Sequence, residues 1–187
     1  MNQKNKKKTM LSKLDDMKGA SLSETLITVL LLSIVLVAVV SGIAVASNSY
    51  QKIVRKAEAM TLLSTISISM EADLASATNT PLNKPVTVTD SDGSSITKEV
   101  VLFKSGLRGY NMYFDTRDDE ICVIAVKDGI DKVTIPVATK AAHANYLRSE
   151  LLMQPWDVNK GYFEYEISIY YNDQMIASQD YVTRPYK

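Results

Sequence analysis

The chain has 187 residues, enough for one domain with short appendages, and its 21 basic residues balance its 21 acidic residues. One cysteine excludes an internal disulfide framework, one histidine excludes a histidine cluster for metal, and the seven glycines form no phosphate-binding loop. Residues 1–19 contain six lysines and two aspartates, a net charge of +4, whereas the remainder contains 15 basic and 19 acidic residues, a net charge of −4. Because a nucleic-acid binder carries its basic residues along a folded face, we expect no nucleic-acid binding.

Residues 26–46 form an uncharged apolar run that is long enough to span a membrane. At 1.5 Å per residue, a helix of this length measures about 31 Å, which matches the hydrocarbon core of a bilayer. Three hydroxyl side chains interrupt the run, those of Thr28, Ser33 and Ser41, and each can bond back to a helix carbonyl. Because the lysine excess lies upstream, we predict a single-pass protein of the cytoplasmic membrane with a cytoplasmic N-terminus and an extracytoplasmic C-terminal region.

Three interpretations of this apolar run remain open. Ala44 and Ala46 match the A-x-A pattern of a secretory cleavage site, but a signal peptide has an apolar region of only about 7–15 residues. The run could instead be an uncleaved anchor for an extracellular β-rich binding or sensor domain. The third interpretation depends on the residues that immediately precede the run.

A single carboxylate, that of Glu24, lies at the very start of the apolar run. With Ser21 it forms a capping box, and an acidic residue in the first turn complements the helix dipole. Capping alone does not account for an ionisable group placed against hydrocarbon, where charges are costly and commonly functional. It also leaves Gly19 unexplained.

This N-terminal pattern resembles that of the type IV pilins and pseudopilins, in which a basic leader, a glycine, a cleavage point, a nearby glutamate and a long apolar run follow one another. The corresponding positions here are, in order, Gly19, Ala20, Glu24 and residues 26–46. The resemblance covers residues 13–50 and implies that a prepilin peptidase in the membrane cuts after Gly19 and N-methylates Ala20. Because Ala20 stands where the family usually has phenylalanine, the resemblance favours a minor subunit over a major one.

The resemblance gives Glu24 a role in assembly. Cleavage after Gly19 frees an α-amine at Ala20, and this cation is expensive in an apolar helix bundle unless it is paired. Glu24 of a neighbouring subunit can pair with it, which would set the axial stagger between subunits. The resemblance therefore implies a subunit of a type IV pilus, a competence pseudopilus or a type II secretion-like filament at the cell surface. Its partners would be the other subunits, the membrane assembly platform and the lipid bilayer.

The helix is predicted to continue beyond the membrane. Residues 47–75 contain no proline or glycine, and their apolar residues recur at spacings of three and four, which defines one helical face. That face comprises Ile53, Ala57, Met60, Leu63, Ile66, Met70 and Leu74. We predict one helix over residues 22–75, about 80 Å long, that is ended by residues 78–81.

After residue 80 the period of the apolar residues changes to two, which is typical of β-strands. We predict strands over residues 86–89, 96–104, 110–115, 121–126, 133–137, 163–171 and 175–183, and a helix over residues 139–153. Turns are predicted at residues 90–93, 116–120 and 172–173. The predicted fold is α+β, with one long N-terminal helix packed on a C-terminal antiparallel β-sheet. The predicted segments are a leader at 1–19, the prepilin motif and transmembrane helix at 20–50, an amphipathic continuation at 51–76 and a globular domain at 80–187.

The remaining candidate sites favour structural roles. The acidic residues at 115 and 118–120 could hold Ca²⁺, but a solvated hairpin loop is the simpler interpretation. A group of tyrosines could form an adhesive face, although strand packing is commoner; these are Tyr162, Tyr165, Tyr170, Tyr171, Tyr181 and Tyr186. Cys122 lies in an apolar run, so we expect it to be buried and inert. His143 has no acid or nucleophile pattern near it, and we predict no catalytic residue, no metal, no cofactor and no enzyme activity.

Overall fold

A computed structural model of the protein describes residues 21–89, 95–127, 130–139, 142 and 146–186. In this part of the chain, one helix is followed by eight strands: α1 Ser21–Ala75, β1 Leu82–Thr89, β2 Ser95–Lys104, β3 Asn111–Arg117, β4 Glu120–Lys127, β5 Ile130–Pro136, β6 Leu147–Met153, β7 Phe163–Tyr171 and β8 Gln174–Thr183. These elements confirm the predicted α+β fold and its long N-terminal helix. The chain divides into two compact units, Met1–Lys52 and Ile53–Lys187.

In the second unit, one face of α1 packs against the sheets. Its buried apolar residues, each at most 2% exposed, are Ala59, Leu62, Leu63, Ile66, Met70 and Leu74. The predicted face is therefore correct from Leu63 onward, whereas Ile53, Ala57 and Met60 are exposed. The reason is geometric, because a row of residues at steps of three and four drifts around a helix of 3.6 residues per turn. Between Met60 and Leu63 the row passes from the exposed side of α1 to the buried side.

The strands form two antiparallel sheets and not the single sheet that we expected. Strands β1 to β5 form one sheet in chain order, and β6 to β8 form a second, also in chain order. An aromatic contact joins the two sheets, since the ring of Phe103 in the five-stranded sheet lies 5.4 Å from that of Phe163 in the three-stranded sheet. Both sheets therefore share one hydrophobic core with the second half of α1.

The predicted helix over residues 139–153 is wrong in its second half. Residues 147–153 form β6, which pairs antiparallel with β7 along its whole length. Leu147 and Ser149 are buried at alternate positions, and the Ser149 hydroxyl accepts a hydrogen bond of 3.1 Å from the N–H of Ile121. Strand pairing and the burial of alternate side chains override the local helical pattern here. His143 lies outside the described residues.

The predicted hairpins are confirmed, and left-handed backbone angles explain their tight turns. Asp118 and Asp119 join β3 to β4 with φ of 49° and 64°, and Asn172 and Asp173 join β7 to β8 with φ of 47° and 61°. Two consecutive residues in this region are typical of a type I′ turn, which asparagine and aspartate tolerate better than most residues. β1 and β2 also pair, but the turn predicted at residues 90–93 lies outside the described residues.

The end of α1 is fixed by segments that bond to the carbonyl of its last residue and to that of the residue that follows it. The N–H of Tyr186 donates to the carbonyl of Ala75 at 2.7 Å, and the N–H of Gly106 donates to the carbonyl of Ser76 at 2.8 Å. A Cβ atom at Gly106 would lie 2.6 Å from that second carbonyl oxygen, so the close approach requires glycine. These bonds satisfy acceptors that the end of a helix otherwise leaves free.

Candidate functional site

The predicted N-terminal site is described only in part. α1 begins at Ser21, and Glu24 lies in its first turn with an exposed side chain. Within the described ranges, no basic side chain forms an ion pair with Glu24. Gly19 and Ala20 lie outside those ranges, so cleavage between them stays a prediction.

The hydroxyl side chains of the apolar run bond to the helix that carries them. Thr28 donates to the carbonyl of Glu24, Ser33 to that of Leu30 and Ser41 to that of Val37, each at 2.7 Å. This confirms the expectation drawn from the sequence. Because these hydroxyls are satisfied within α1, they do not require polar surroundings.

The first half of α1 presents apolar side chains all round. The large apolar residues from Leu22 to Val45 are 52–77% exposed. By length and composition, this helix can cross a membrane. In water such a surface would be unfavourable, and a bilayer or a bundle of similar helices would cover it.

A second apolar surface lies on α1 within the second unit, and we call it the outer stripe. It consists of Ile53, Ala57, Met60, Ser64 and Ile68, whose spacing of three and four residues places them on one side of the helix. Ile53, Met60 and Ile68 are 67%, 49% and 65% exposed, and the stripe lies opposite the buried face. Ala57 and Ser64 are small, so another helix could approach the backbone of α1 closely along this stripe.

A buried ion pair that the sequence reasoning missed anchors the end of α1 to the β2–β3 loop. The carboxylate of Asp73 accepts two hydrogen bonds from Nε of Arg108, at 3.0 and 2.9 Å, and one from the hydroxyl of Ser105 at 2.9 Å. Asp73 is only 2% exposed. A signal was available in the sequence, because Asp73 is an acidic residue within the buried face, between Met70 and Leu74.

The acidic residues of the β3–β4 hairpin do not converge on one point. Asp115 forms ion pairs with Lys98 and, at 2.8 Å, with Arg117, whereas Asp119 lies 3.6 Å from Arg148. In the ranges that the structure describes, no three His, Cys, Asp or Glu side chains are grouped to hold a metal ion. Asp115 therefore acts as a link between strands.

The tyrosines of the three-stranded sheet are used mainly in packing. Tyr165 is buried, stacks on Tyr181 at 5.4 Å and shares a hydrogen bond with the Thr183 hydroxyl. The ring of Tyr171 lies 4.3 Å below the guanidinium of Arg55 on α1. These contacts fix the sheet against the helix, whereas Tyr186 is 81% exposed.

Cys122 is buried, as its apolar surroundings predict, and burial raises the pKa of its thiol to about 11. We expect iodoacetamide to leave this thiol unmodified at pH 8 in the folded full chain and to label it in denaturant, since the thiolate is the reactive form. Burying the neutral thiol stabilises the fold fully below the ordinary pKa of 9.0, and this contribution declines as the pH rises toward 11. Mass spectrometry measures the labelling, and equal rates in the folded and the denatured chain would contradict the prediction.

Comparison with known proteins finds no matching family model, no similar curated protein and no similar solved structure. The only basis for classifying the chain is therefore its arrangement of helix and strands. A long apolar N-terminal helix packed on C-terminal antiparallel sheets is a pilin-like arrangement.

Proposed function

We propose that the chain is a minor, prepilin-like structural subunit and not an enzyme. It would belong to a type IV pilus, a competence pseudopilus or a type II secretion-like filament. The observation that supports this proposal is the difference between the two halves of α1. Its first half is apolar all round, and its second half packs on the sheets on one side while the outer stripe stays exposed on the other.

The steps of assembly follow from this arrangement. The basic leader, residues 1–19, stays in the cytoplasm while the apolar run enters the bilayer. A prepilin peptidase cuts after Gly19 and methylates the new terminus at Ala20. The membrane assembly platform then moves the subunit out of the bilayer, and helices of neighbouring subunits replace lipid around the apolar half of α1. Neighbouring helices also cover the outer stripe.

The alternative is an uncleaved single-pass protein with an extracellular β-rich binding or sensor domain. It has the same helix and sheets but needs neither cleavage at Gly19 nor a partner for the outer stripe. Whether residues 1–19 have been removed from the mature chain distinguishes the two functions directly.

Replacing Gly19 by valine should abolish cleavage of the leader. Glycine lets the chain lie extended and close to a protease, whereas a β-branched side chain at the cleaved bond blocks that approach. The wild-type chain extracted from membranes should begin at Ala20 by N-terminal sequencing and intact mass, and the variant should keep residues 1–19. Gly42→Val is the matched control, because no atom beyond the adjacent residues and backbone of α1 lies within 4 Å of a Cβ atom placed there, and it should be cut normally.

Two results would contradict the proposal. A wild-type chain that keeps its leader would favour the uncleaved anchor. A wild-type chain that begins at Ser47 would favour a secreted protein, because cleavage would then follow Ala46.

A further inference from the structure

The five-stranded sheet has a groove on the face that points away from α1. β1 and β2 pair over eight residue pairs, whereas β2 and β3 pair over only two, at Phe103 and Lys104. The β1–β2 hairpin therefore diverges from β3. The space beside it is a groove of about 420 Å³, within the usual range for a binding site.

The groove has an apolar floor. Val86, Leu102 and Val126 line it and pack on a second small core of Val100, Tyr113 and Ile124, which is separate from the core under α1. The three floor residues are half-buried, so part of their apolar surface is exposed. A leucine or valine side chain placed on this floor would gain dispersion contacts with it.

A network of charges holds the walls of this groove in place. The ion pair of Lys98 with Asp115 bridges β2 and β3 beyond the point where their backbone pairing stops. On the other side, the hydroxyl of Tyr113 donates to the carboxylate of Asp131 at 2.7 Å, and Arg117 lies 3.7 Å from the same carboxylate. The groove is therefore a built feature of the sheet.

Lys84 on the rim of the groove is the unbalanced charge. The two carboxylates of the network, Asp115 and Asp131, pair with Lys98 and Arg117. Lys84 is exposed, and in the described part of the chain no carboxylate pairs with it. The groove would thus suit an apolar side chain next to a carboxylate.

The outward face of the three-stranded sheet has the complementary chemistry. Its cross-strand row joins Leu152 to Glu166 and Glu166 to Asp180, so two carboxylates stand directly opposite each other. Like charges in this position are destabilising. Glu166 accepts a hydrogen bond from the Ser178 hydroxyl at 2.5 Å, but no cation in the described ranges pairs with either carboxylate. Leu152 and Val182 on this face are 58% and 60% exposed.

We propose that the groove of one copy receives this row from a second copy, with Lys84 placed between Glu166 and Asp180 and Leu152 on the apolar floor. Two different surfaces meet in such a contact, so it is heterologous and can repeat along an open filament. The inference rests on the proposed function to the extent that subunits stand side by side in a membrane or filament. The contact would supply the surface and the charges that fix the rotation of one subunit relative to the next.

The test is zero-length carbodiimide crosslinking of the full chain in membranes and in sheared filaments, with ¹⁴N- and ¹⁵N-labelled chains mixed. We expect a mixed-isotope peptide pair that joins Lys84 to Glu166 or Asp180. Crosslinks of Glu166 to other lysines should decrease about tenfold or more in Lys84→Glu, because like charges then face each other. Combining Lys84→Glu with Asp180→Lys should restore association, now through residues 84 and 180 with exchanged charges. Lys104→Glu, an exposed lysine of the same hairpin, is the control and should leave the yield unchanged.

Each outcome decides one claim. A crosslink in membranes from a chain that never enters filaments supports this contact and overturns the filament role. Wild-type chains that enter filaments without a crosslink at Lys84, or with a crosslink to a different protein, overturn the contact and leave the filament role standing. Failure of the charge exchange to restore association also overturns the contact, provided that the double variant keeps wild-type tryptophan fluorescence.

Discussion

Replacing Asp73 by alanine should lower the free energy of unfolding of the second unit by about 3 kcal/mol. Removing one partner of a buried ion pair costs about 3–5 kcal/mol, because the other charge is left unpaired. We expect the lower end of that range, since the side chain of Arg108 keeps 30% of its exposure and water can approach it. The variant also leaves the hydroxyl of Ser105 without its acceptor, and Ser105 is fully buried.

Denaturant unfolding of the full chain in detergent measures this loss. Trp156 is the only tryptophan and its ring lies 4.8 Å from that of Phe163 in the shared core, so its fluorescence reports on this unit. Glu71→Ala is the matched control on the same helix, because Glu71 is exposed and should change stability by no more than about 0.5 kcal/mol. The double variant Asp73→Ala with Arg108→Ala should lose less than the sum of the single variants. Equal losses in Asp73→Ala and Glu71→Ala would contradict the anchoring role.

The parts of the fold that the sequence predicted are those with strong local signals. α1 could be predicted because residues 22–75 combine an apolar run with a helical spacing and contain one glycine and no proline. The β7–β8 hairpin could be predicted because apolar residues alternate over residues 163–171, directly before Asn172 and Asp173, which adopt the left-handed angles of a tight turn.

The parts that could not be predicted depend on contacts between distant residues. The segment that forms β6 has a composition compatible with a helix, and only its pairing with β7 makes it a strand. The division into two sheets depends on which strands meet across the core, and the period-two pattern is the same in either arrangement. Local periodicity and turn residues therefore identified most strands and their hairpin partners, and not how the hairpins group into sheets.

The candidate site shows the same limit. Glu24 could be identified as a candidate from the sequence, because its predicted role depends on the apolar run that follows it. The groove beside β1 could not be predicted from the sequence. Its residues Lys84 and Asp131 are distant in the chain and face each other only because the β1–β2 hairpin diverges from β3. Charge balance between surfaces likewise becomes visible only after strand register places Glu166 opposite Asp180.

Replacing Glu24 by glutamine should abolish incorporation of the chain into filaments while leaving insertion, cleavage and folding intact. Glutamine still serves in a capping box, so a residue that only caps α1 should tolerate the change. If Glu24 instead pairs with the freed amine of Ala20 on a neighbour, glutamine leaves that cation unpaired in apolar surroundings. Losing one partner of such a buried pair costs about 3–5 kcal/mol, which corresponds to a loss of more than a hundredfold in association.

The measurement is the share of Glu24→Gln protein in sheared filaments relative to membranes, beside the wild type. Glu71→Gln is the matched control, because it makes the same chemical change at an exposed position of the same helix beyond the apolar run, and it should be incorporated normally. Intact mass should show that both variants have lost residues 1–19, so that a defect in cleavage is not mistaken for one in assembly. If Glu24→Gln is incorporated as well as the wild type, Glu24 is only a first-turn acid, and charge pairing does not drive the assembly of these subunits.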